Sequence, residues 1–330
     1  MPSTGELRQS DPVSGRAPDT TPCIDARELL SADPVVRRNL VEQAGKTCHE
    51  FSFFYLTHAF DHSPVAANAF RQMQTFFTLP DNDPRKIAVD NRNKYGSYGW
   101  MPMFGEPAYQ PGTVAHVESF DCGLEGGPGA GKDLEGQNVW PDLPQFREDV
   151  CELWNSLAAL GAAMLEVLAE IAGLDKSFFR SRCNSHELST LRLLHYPGGP
   201  APDALRDVGI AAHTDFECIS LILQTAPGLE LTDVNGRWLD TPARSDQVIV
   251  LLDDMLERWT NGFFRATGHR VRRTATPRYS VVLFNAVNAG LTVCPLQQFV
   301  SEATPARYTA TTQRQHIDSE VRRAERLRIP

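Results

Sequence analysis

The 330-residue sequence predicts a mixed α/β protein with a β-rich core that forms an antiparallel sandwich or jelly roll. Two observations lead to this prediction. Up to about residue 180, apolar residues recur at the three- and four-residue steps of amphipathic helices. From about residue 188 the period changes to two, and turn signals separate many short strands without crossover helices between them.

The helical N-terminal region is predicted to span residues 21–180, after a polar, flexible lead at residues 1–20. Amphipathic helices are expected at residues 35–50 and 63–77, separated by a strand-like aromatic run at residues 51–56. A longer helix ends before Gly173, a typical C-cap residue. Its apolar stripe consists of Phe146, Val150, Leu153, Leu157, Leu160, Met164, Leu168 and Ile171.

The jelly-roll core is predicted at residues 181–300, followed by a C-terminal helical segment at residues 301–330. Asn235-Gly236 is the strongest short hairpin signal in the chain, because this dipeptide favours a tight two-residue turn. The predicted strands are residues 188–196, 208–213, 218–224, 229–234, 237–240, 247–252, 264–272 and 279–285.

Composition and charge limit the possible partners. The chain has 32 Lys and Arg against 41 Asp and Glu, a net charge of -9, which argues against nucleic acid as a partner. No apolar run is long enough, without interrupting charges, to predict a membrane span, and the first residues lack a signal-peptide pattern. Seven cysteines without a C-x-x-C pair indicate reduced thiols and a cytoplasmic protein. The oligomeric state stays open.

A glycine-rich segment at residues 126–132 matches the spacing of a phosphate-binding loop. Asp133 stands where a magnesium-binding Ser or Thr is required, and residues 133–141 do not have a helical pattern. We therefore expect a flexible surface loop here and no nucleotide site.

The residues that indicate chemistry are His213, Asp215 and His269. In an extended chain, side chains two residues apart point to the same face, so His213 and Asp215 can converge on one ligand. His269 opens a later strand, 54 residues further on. Two histidines and one carboxylate on one face of a metal form the facial triad of non-haem Fe(II) oxygenases.

Arg278 and Ser280 form a second motif, nine residues after the distal histidine. A guanidinium can bind a carboxylate through two parallel hydrogen bonds, and a neighbouring hydroxyl can bond a remaining oxygen. Burying an arginine in a β-rich core is costly unless an anion meets it. That anion is either a protein carboxylate or an anionic cosubstrate beside the metal.

With these motifs in this order, the sequence resembles the Fe(II)/2-oxoglutarate-dependent dioxygenases of the isopenicillin N synthase-like branch. The resemblance covers residues 21–326. Its supporting segments are TPCID at 21–25, FFYLTH at 53–58, FFTLP at 76–80, NVWP at 138–141 and LRLLHYP at 191–197.

The resemblance implies a double-stranded β-helix, the cupin-like form of the jelly roll, as the catalytic core. It implies an enzyme that uses Fe(II), 2-oxoglutarate and dioxygen to hydroxylate or desaturate a C–H bond of a small molecule, with succinate and CO2 as co-products. His213, Asp215 and His269 would bind the iron, and no catalytic residue beyond these ligands is predicted.

The cosubstrate residues also follow from the resemblance. Arg278 and Ser280 would hold the distal carboxylate of 2-oxoglutarate, and Tyr196 falls at a position whose phenol also touches the cosubstrate. Two neighbours depart from the family pattern: Leu194 replaces a common Asn, and His195 replaces a common second Tyr. Leu194 cannot donate the hydrogen bond that Asn would make.

The substrate is expected to be a small molecule, such as an amino-acid derivative or a secondary metabolite. The predicted substrate-binding residues are Tyr95, Tyr98, Phe120, Phe216, Phe284 and Asn285. Two alternatives stay open. One is an oxidase of the same fold that does not use 2-oxoglutarate, and the other is a jelly-roll protein that binds a carboxylic acid without turning it over.

Overall fold

The computed structural model describes residues 7, 13–16, 23–61, 63–91, 98–126, 137–200, 203, 206–244 and 247–327. Tyr95 and most of the glycine-rich segment at residues 126–132 therefore lie outside the described residues. Within the described ranges, the α-helices are α1 (Ala26–Leu29), α2 (Pro34–Glu50), α3 (Val65–Phe77), α4 (Pro84–Ile87), α5 (Phe146–Ile171), α6 (Asp254–Trp259) and α7 (Gln313–Leu327).

Helix α5 organises the N-terminal half. Most of its apolar stripe is buried, the helix packs against α2 and α3, and Gly173 follows it with a φ of 69°, a left-handed conformation that ends the helix. By length and composition alone α5 could cross a membrane. Because 56% of its most apolar window is buried inside the protein, we interpret it as a core helix.

Two sheets form the β-rich core. The large sheet has, in spatial order, β2 (Cys23–Asp25), β3 (Phe53–Thr57), β13 (Val248–Leu252), β10 (Ile219–Gln224), β15 (Arg278–Asn285), β7 (Thr190–Tyr196), β6 (Glu118–Cys122) and β4 (Gly99–Met101). The small sheet has β1 (Val13–Arg16), β12 (Trp238–Asp240), β11 (Leu229–Thr232), β14 (His269–Val271) and β9 (Ile210–His213). Two short pairs complete the strands: β5 (Val114–Ala115) with β8 (Asp207–Val208), and β16 (Thr292–Val293) with β17 (Thr311–Thr312).

The large sheet has a different neighbour on each face. Because side chains alternate along a strand, Leu193 and Val281 join the core shared with the N-terminal helices, whereas Leu194 and Val282 join the core shared with the small sheet. We call the first face the helix face and the second the inner face. The predicted cosubstrate residues Tyr196, Arg278 and Ser280 lie on the inner face.

Most predicted elements are confirmed to within a few residues, including the hairpin at Asn235-Gly236, where Gly236 has a φ of 76°. The strand predicted at residues 264–272 is shorter, because the Ala266 and Thr267 amides donate to the Glu257 carboxylate and the Leu252 carbonyl instead of to β11 or β9, the neighbours of β14.

Both ends of the chain differ from the prediction. Val13–Arg16, inside the predicted flexible lead, forms β1 and extends the small sheet by pairing in parallel with β12. At the other end the helix begins only at Gln313, twelve residues into the predicted helical segment. The predicted domain boundaries near residues 20, 180 and 300 remain predictions.

Candidate functional site

The H-x-D motif and the distal histidine meet where β9 and β14 lie side by side. His213 and His269 are direct partners across this antiparallel pair, and Asp215 follows β9 in the next loop. The Nε2 atoms of His213 and His269 lie 3.6 and 3.4 Å from Asp215 Oδ1. All three side chains are buried, and their candidate ligand atoms lie within 4.8 Å of one another.

Hydrogen bonds orient both imidazoles toward this common point. Nδ1 of His213 lies 2.8 Å from the Ala211 carbonyl oxygen, and Nδ1 of His269 lies 3.2 Å from that of Thr267. Because a carbonyl only accepts, Nδ1 carries the proton and Nε2 keeps its lone pair for a ligand. Burial, together with the nearby His269, lowers the pKa of His213 well below its usual value, so this ring is neutral.

Asp215 completes a donor set that fits Fe(II). Its second oxygen, Oδ2, is buried and has no hydrogen-bond partner among the described residues. An orphaned buried carboxylate oxygen is costly unless a cation or a donor meets it. Two imidazoles and one carboxylate on one side of a point leave the other side open, as the facial triad requires.

Arg278 lies at the start of β15 and is 1% exposed. Its Nε donates to the Ala226 carbonyl at 3.1 Å and its Nη2 to Gln224 Oε1 at 2.6 Å. Nη1 has no partner, and no carboxylate within the described chain forms an ion pair with this guanidinium. Burial lowers the pKa of Arg278, because the charged guanidinium is less stable away from water. An anionic ligand would offset this loss of solvation.

The residues around Arg278 follow from strand register. Tyr196 is its direct partner on β7, with the guanidinium carbon 4.7 Å from the centre of the phenol ring. Burial raises the pKa of Tyr196 to about 12, so its hydroxyl keeps its proton. Ser280 is one step along the inner face, and its hydroxyl donates to the Leu223 carbonyl at 2.9 Å, which leaves its oxygen able to accept.

The two departures from the family pattern lie on opposite faces. Leu194 is the partner of Ser280 and lines the cavity. His195 points to the helix face, where its ring stacks 4.8 Å from Tyr279 and its Nδ1 lies 2.8 Å from Glu118 Oε1. Because His195 lies on the opposite face of the sheet from Arg278, it cannot contact a cosubstrate bound beside Arg278.

Comparisons with known proteins agree with this geometry. Residues 188–286 match the family model of the 2OG-Fe(II) oxygenase superfamily, and residues 21–143 match the model described as the N-terminal part of a non-haem dioxygenase in morphine synthesis. Among solved structures, a 2OG-Fe(II) oxygenase family protein of Caulobacter crescentus has a TM-score of 0.77 at 28% identity, covering 91% of this chain and 98% of that one. A full-length Neurospora crassa protein in complex with alpha-KG has a TM-score of 0.77 at 22% identity, covering 92% and 96%.

Curated relatives decide the family. The 2-oxoglutarate-dependent dioxygenase tropC of Talaromyces stipitatus is 30% identical over 303 residues, covering 87% of this chain and 92% of that protein. The dioxygenase citB of Monascus ruber is also 30% identical, covering 87% and 91%. The chain belongs to the 2-oxoglutarate- and Fe(II)-dependent dioxygenases.

As a member of this family, the dioxygenase uses Fe(II), 2-oxoglutarate and dioxygen to oxidise a C–H bond of a small molecule, and it releases succinate and CO2. The names of the relatives support this function over that of a same-fold oxidase without 2-oxoglutarate. The similarity to solved oxygenases also confirms the double-stranded β-helix.

A cavity of about 590 Å³ connects the triad and Arg278 with the rest of the dioxygenase's inner face. This volume is typical of sites that enclose small ligands, which occupy roughly 300–1,000 Å³. Of the predicted substrate-binding residues, Tyr98, Phe216 and Phe284 line the cavity. Their contact with substrate remains a prediction.

Two predicted substrate-binding residues lie elsewhere in the dioxygenase. Phe120 is on the helix face of β6, 5.4 and 5.2 Å from the ring centres of Phe76 and Phe146. Asn285 is one step beyond Phe284 and so points to the helix face, against Gly161 of α5. In both cases the alternation of the strand sends the side chain into the core.

Several cavity residues of the dioxygenase were missed in the sequence. Arg192 could have been found, because it shares the inner face of β7 with Tyr196 and Leu194. Tyr109, whose ring stacks 4.3 Å from that of His213, follows from no local pattern. The same holds for the face of α7 that lines the cavity, formed by Arg314, Ile317, Asp318, Val321 and Glu325.

Proposed function

We propose that the dioxygenase holds Fe(II) on His213, Asp215 and His269. Three observations support this role: the convergence of the ligand atoms within 4.8 Å, the Nδ1 hydrogen bonds of both histidines, and the buried, unpartnered oxygen of the aspartate. The bound iron would supply the oxidising chemistry of the family, which couples the conversion of 2-oxoglutarate into succinate and CO2 to oxidation of the substrate.

We further propose that Arg278, with Ser280 and Tyr196, binds the distal carboxylate of 2-oxoglutarate. The observation that carries this proposal is a guanidinium that is 1% exposed, has no carboxylate partner in the described chain, and borders the same cavity as the triad. Its Nη1 can donate to a carboxylate, and the Ser280 hydroxyl can donate to the same carboxylate by turning away from the Leu223 carbonyl. Around them Leu194 and Val282 form an apolar wall that excludes water.

The substrate would then occupy the part of the cavity away from Arg278, where Phe216 and Phe284 contribute aromatic rings to the lining. A secondary metabolite suits the relatives, one of which is named codeine O-demethylase, from Papaver somniferum, and is 28% identical, covering 88% of this chain and 78% of that protein.

An anaerobic titration tests the proposed ligand sets. Fe(II)-loaded protein is titrated with 2-oxoglutarate, and the visible charge-transfer band of an iron-chelated keto acid is recorded. We expect the band in the wild type, its loss in His269→Ala, and a much higher 2-oxoglutarate requirement in Ser280→Ala combined with Arg278→Ala. A wild-type band in the His269 variant would contradict the metal assignment.

We also propose a reducing, cytoplasmic location without nucleic-acid or membrane partners. All seven cysteines lie in the described ranges and none forms a disulfide, and the net charge is -9. Fractionation of cells that express the tagged protein tests the location, since recovery in an oxidising compartment would contradict it.

A further inference from the structure

The cavity has a second end, defined here as the substrate end and formed by Arg192 on β7 and Phe284 on β15. In the register of these strands, Arg192 pairs with Val282, and Phe284 lies six residues along from Arg278. At about 3.3 Å per residue, Phe284 is roughly 20 Å from Arg278 along the strand. The substrate end is therefore separate from the proposed cosubstrate contacts.

Arg192 is held by two carboxylates. Its Nε and Nη2 donate to the two oxygens of Asp121, both at 2.9 Å, across the β6–β7 pair. Its Nη1 donates to Glu106 Oε1 at 3.0 Å. Burial alone lowers the pKa of Arg192, but the two carboxylates raise it well above its usual value, so the guanidinium stays charged.

Two N–H groups of the Arg192 guanidinium remain available to a ligand. A guanidinium has five N–H groups, and the bonds to Asp121 and Glu106 use three of them. The side chain is 24% exposed and lines the cavity, close to Phe284, whose ring centre is 5.8 Å from the guanidinium carbon. Arg192 can therefore donate further hydrogen bonds to a molecule in the cavity.

The surrounding charge disfavours an anion at this end. Two carboxylates already offset the single positive charge of Arg192. Glu187 and Asp318 also line the cavity, and neither has a hydrogen-bond or ion-pair partner within the described chain. Arg314 is the other guanidinium in this part of the lining. A ligand carboxylate would meet this surplus of negative charge, whereas a neutral oxygen acceptor would gain the hydrogen bonds without that repulsion.

We propose that Arg192 is a specificity-determining residue of the dioxygenase. It donates hydrogen bonds to an uncharged oxygen acceptor, such as an amide or ketone carbonyl, of a ring-bearing substrate that packs on Phe284. Asp121 and Glu106 select against substrates that carry a carboxylate at that position. This inference rests on the proposed function, because it takes the substrate to occupy the cavity end away from Arg278.

The test uses a matched pair of compounds, 2-naphthamide and 2-naphthoate, which have the same ring and differ in the charge of one group. Protein loaded with Fe(II) and 2-oxoglutarate is titrated anaerobically with each, by calorimetry and by the change in the charge-transfer band. We expect the wild type to bind the amide at least tenfold more tightly than the carboxylate.

Variants test whether Arg192, Asp121 and Glu106 cause the preference for the amide over the carboxylate. Asp121→Asn combined with Glu106→Gln should bind the carboxylate at least tenfold more tightly than the wild type does, with amide affinity changed less than threefold. Arg192→Met should lose at least tenfold in amide affinity. Arg180→Met, which removes an exposed ion pair with Glu166, is the control and should leave both affinities unchanged.

The outcomes separate the two proposals. Failure of the band to form when 2-oxoglutarate is added, before either compound, would contradict the proposed cosubstrate contacts. A normal band followed by equal or tighter binding of the carboxylate, by no binding of the amide, or by an unchanged preference in the Asp121 and Glu106 double variant would overturn the role of Arg192 alone.

Discussion

Two arginines lie on the inner face of neighbouring strands, and their surroundings differ. Arg278, on β15, is 1% exposed, bonds only neutral acceptors such as Gln224, and has no carboxylate partner among the described residues. Arg192, on β7, is bonded by both oxygens of Asp121 and by Glu106. One guanidinium is left for a ligand anion, and the other is already neutralised by the protein.

The difference shows how the charge of a site indicates its ligand. Burying a guanidinium without an anion costs several kcal/mol, so such a residue persists where a ligand supplies the missing charge. A guanidinium with two carboxylates needs no anion for stability. The presence or absence of carboxylate partners at each arginine therefore distinguishes the two ends of the cavity. The end at Arg278 suits a dicarboxylate, and the end at Arg192 suits an uncharged molecule.

The largest effect is expected at His213, one of the three proposed metal ligands. His213→Ala should weaken Fe(II) binding by more than about 100-fold, since even the loss of a residue that only orients a ligand costs about 10–100-fold. Equilibrium dialysis with anaerobic Fe(II) measures the change. His58→Ala, at an exposed histidine on the surface, serves as the control. Unchanged iron affinity in the His213 variant would show that the triad is not the metal site.

Arg278→Ala should raise the 2-oxoglutarate requirement by about 100-fold, because it removes charge-assisted hydrogen bonds worth about 1.5–3 kcal/mol each. Fe(II) affinity should change far less. Succinate release at increasing 2-oxoglutarate concentration measures the requirement. Arg278→Lys should have an intermediate requirement, because lysine keeps the positive charge but cannot donate two parallel hydrogen bonds to a carboxylate. Equal losses of iron and cosubstrate binding would point to general unfolding of the site.

Besides weakening amide binding, Arg192→Met is expected to lower the stability of the protein. It leaves Asp121 and Glu106 together without a cation, which we expect to lower the free energy of unfolding by about 2 kcal/mol, less than a fully buried pair would cost because Arg192 is partly exposed. Urea unfolding measures the loss. Adding Asp121→Asn and Glu106→Gln to the same chain should recover part of it, and no recovery would mean that charge is not the cause.

The smallest effect is expected from Leu194→Asn, which restores the common family residue opposite Ser280. One added neutral hydrogen bond is worth about 0.5–1.5 kcal/mol, so the 2-oxoglutarate requirement should fall by less than about tenfold. A larger gain, measured in the same succinate assay, would show that Arg278 does not dominate cosubstrate binding.

Much of the site could be predicted from the sequence, because it depends on local rules. His213 and Asp215 share a face at a strand end, and Arg278, Ser280 and Phe284 share a face two, or multiples of two, residues apart. These relations need only the strand period. The same rule places Asn285 on the helix face, because it follows Phe284 by one residue, and strand alternation was not applied to it in the sequence.

Other features depend on long-range packing and could not be read from the sequence. Phe120 lies on a five-residue strand that was not predicted, so its face was unknown. Tyr109 reaches His213 from a loop, and Glu106 reaches Arg192 from the same loop, 86 residues away in the chain. Contacts of this kind are set by how the loop packs on the sheet, which no local period reveals.

The position of helix α7 determines which mutations can alter the cavity without altering the sheets. It is docked beside the sheets by side chains such as His316, which bonds Asp254 at 2.8 Å, and Gln313, which donates to the Phe216 carbonyl. Its cavity-lining residues, such as Ile317 and Val321, belong to no strand that carries a proposed iron ligand. Mutations confined to this terminal helix can therefore reshape the cavity wall while the strands that carry the triad keep their sequence.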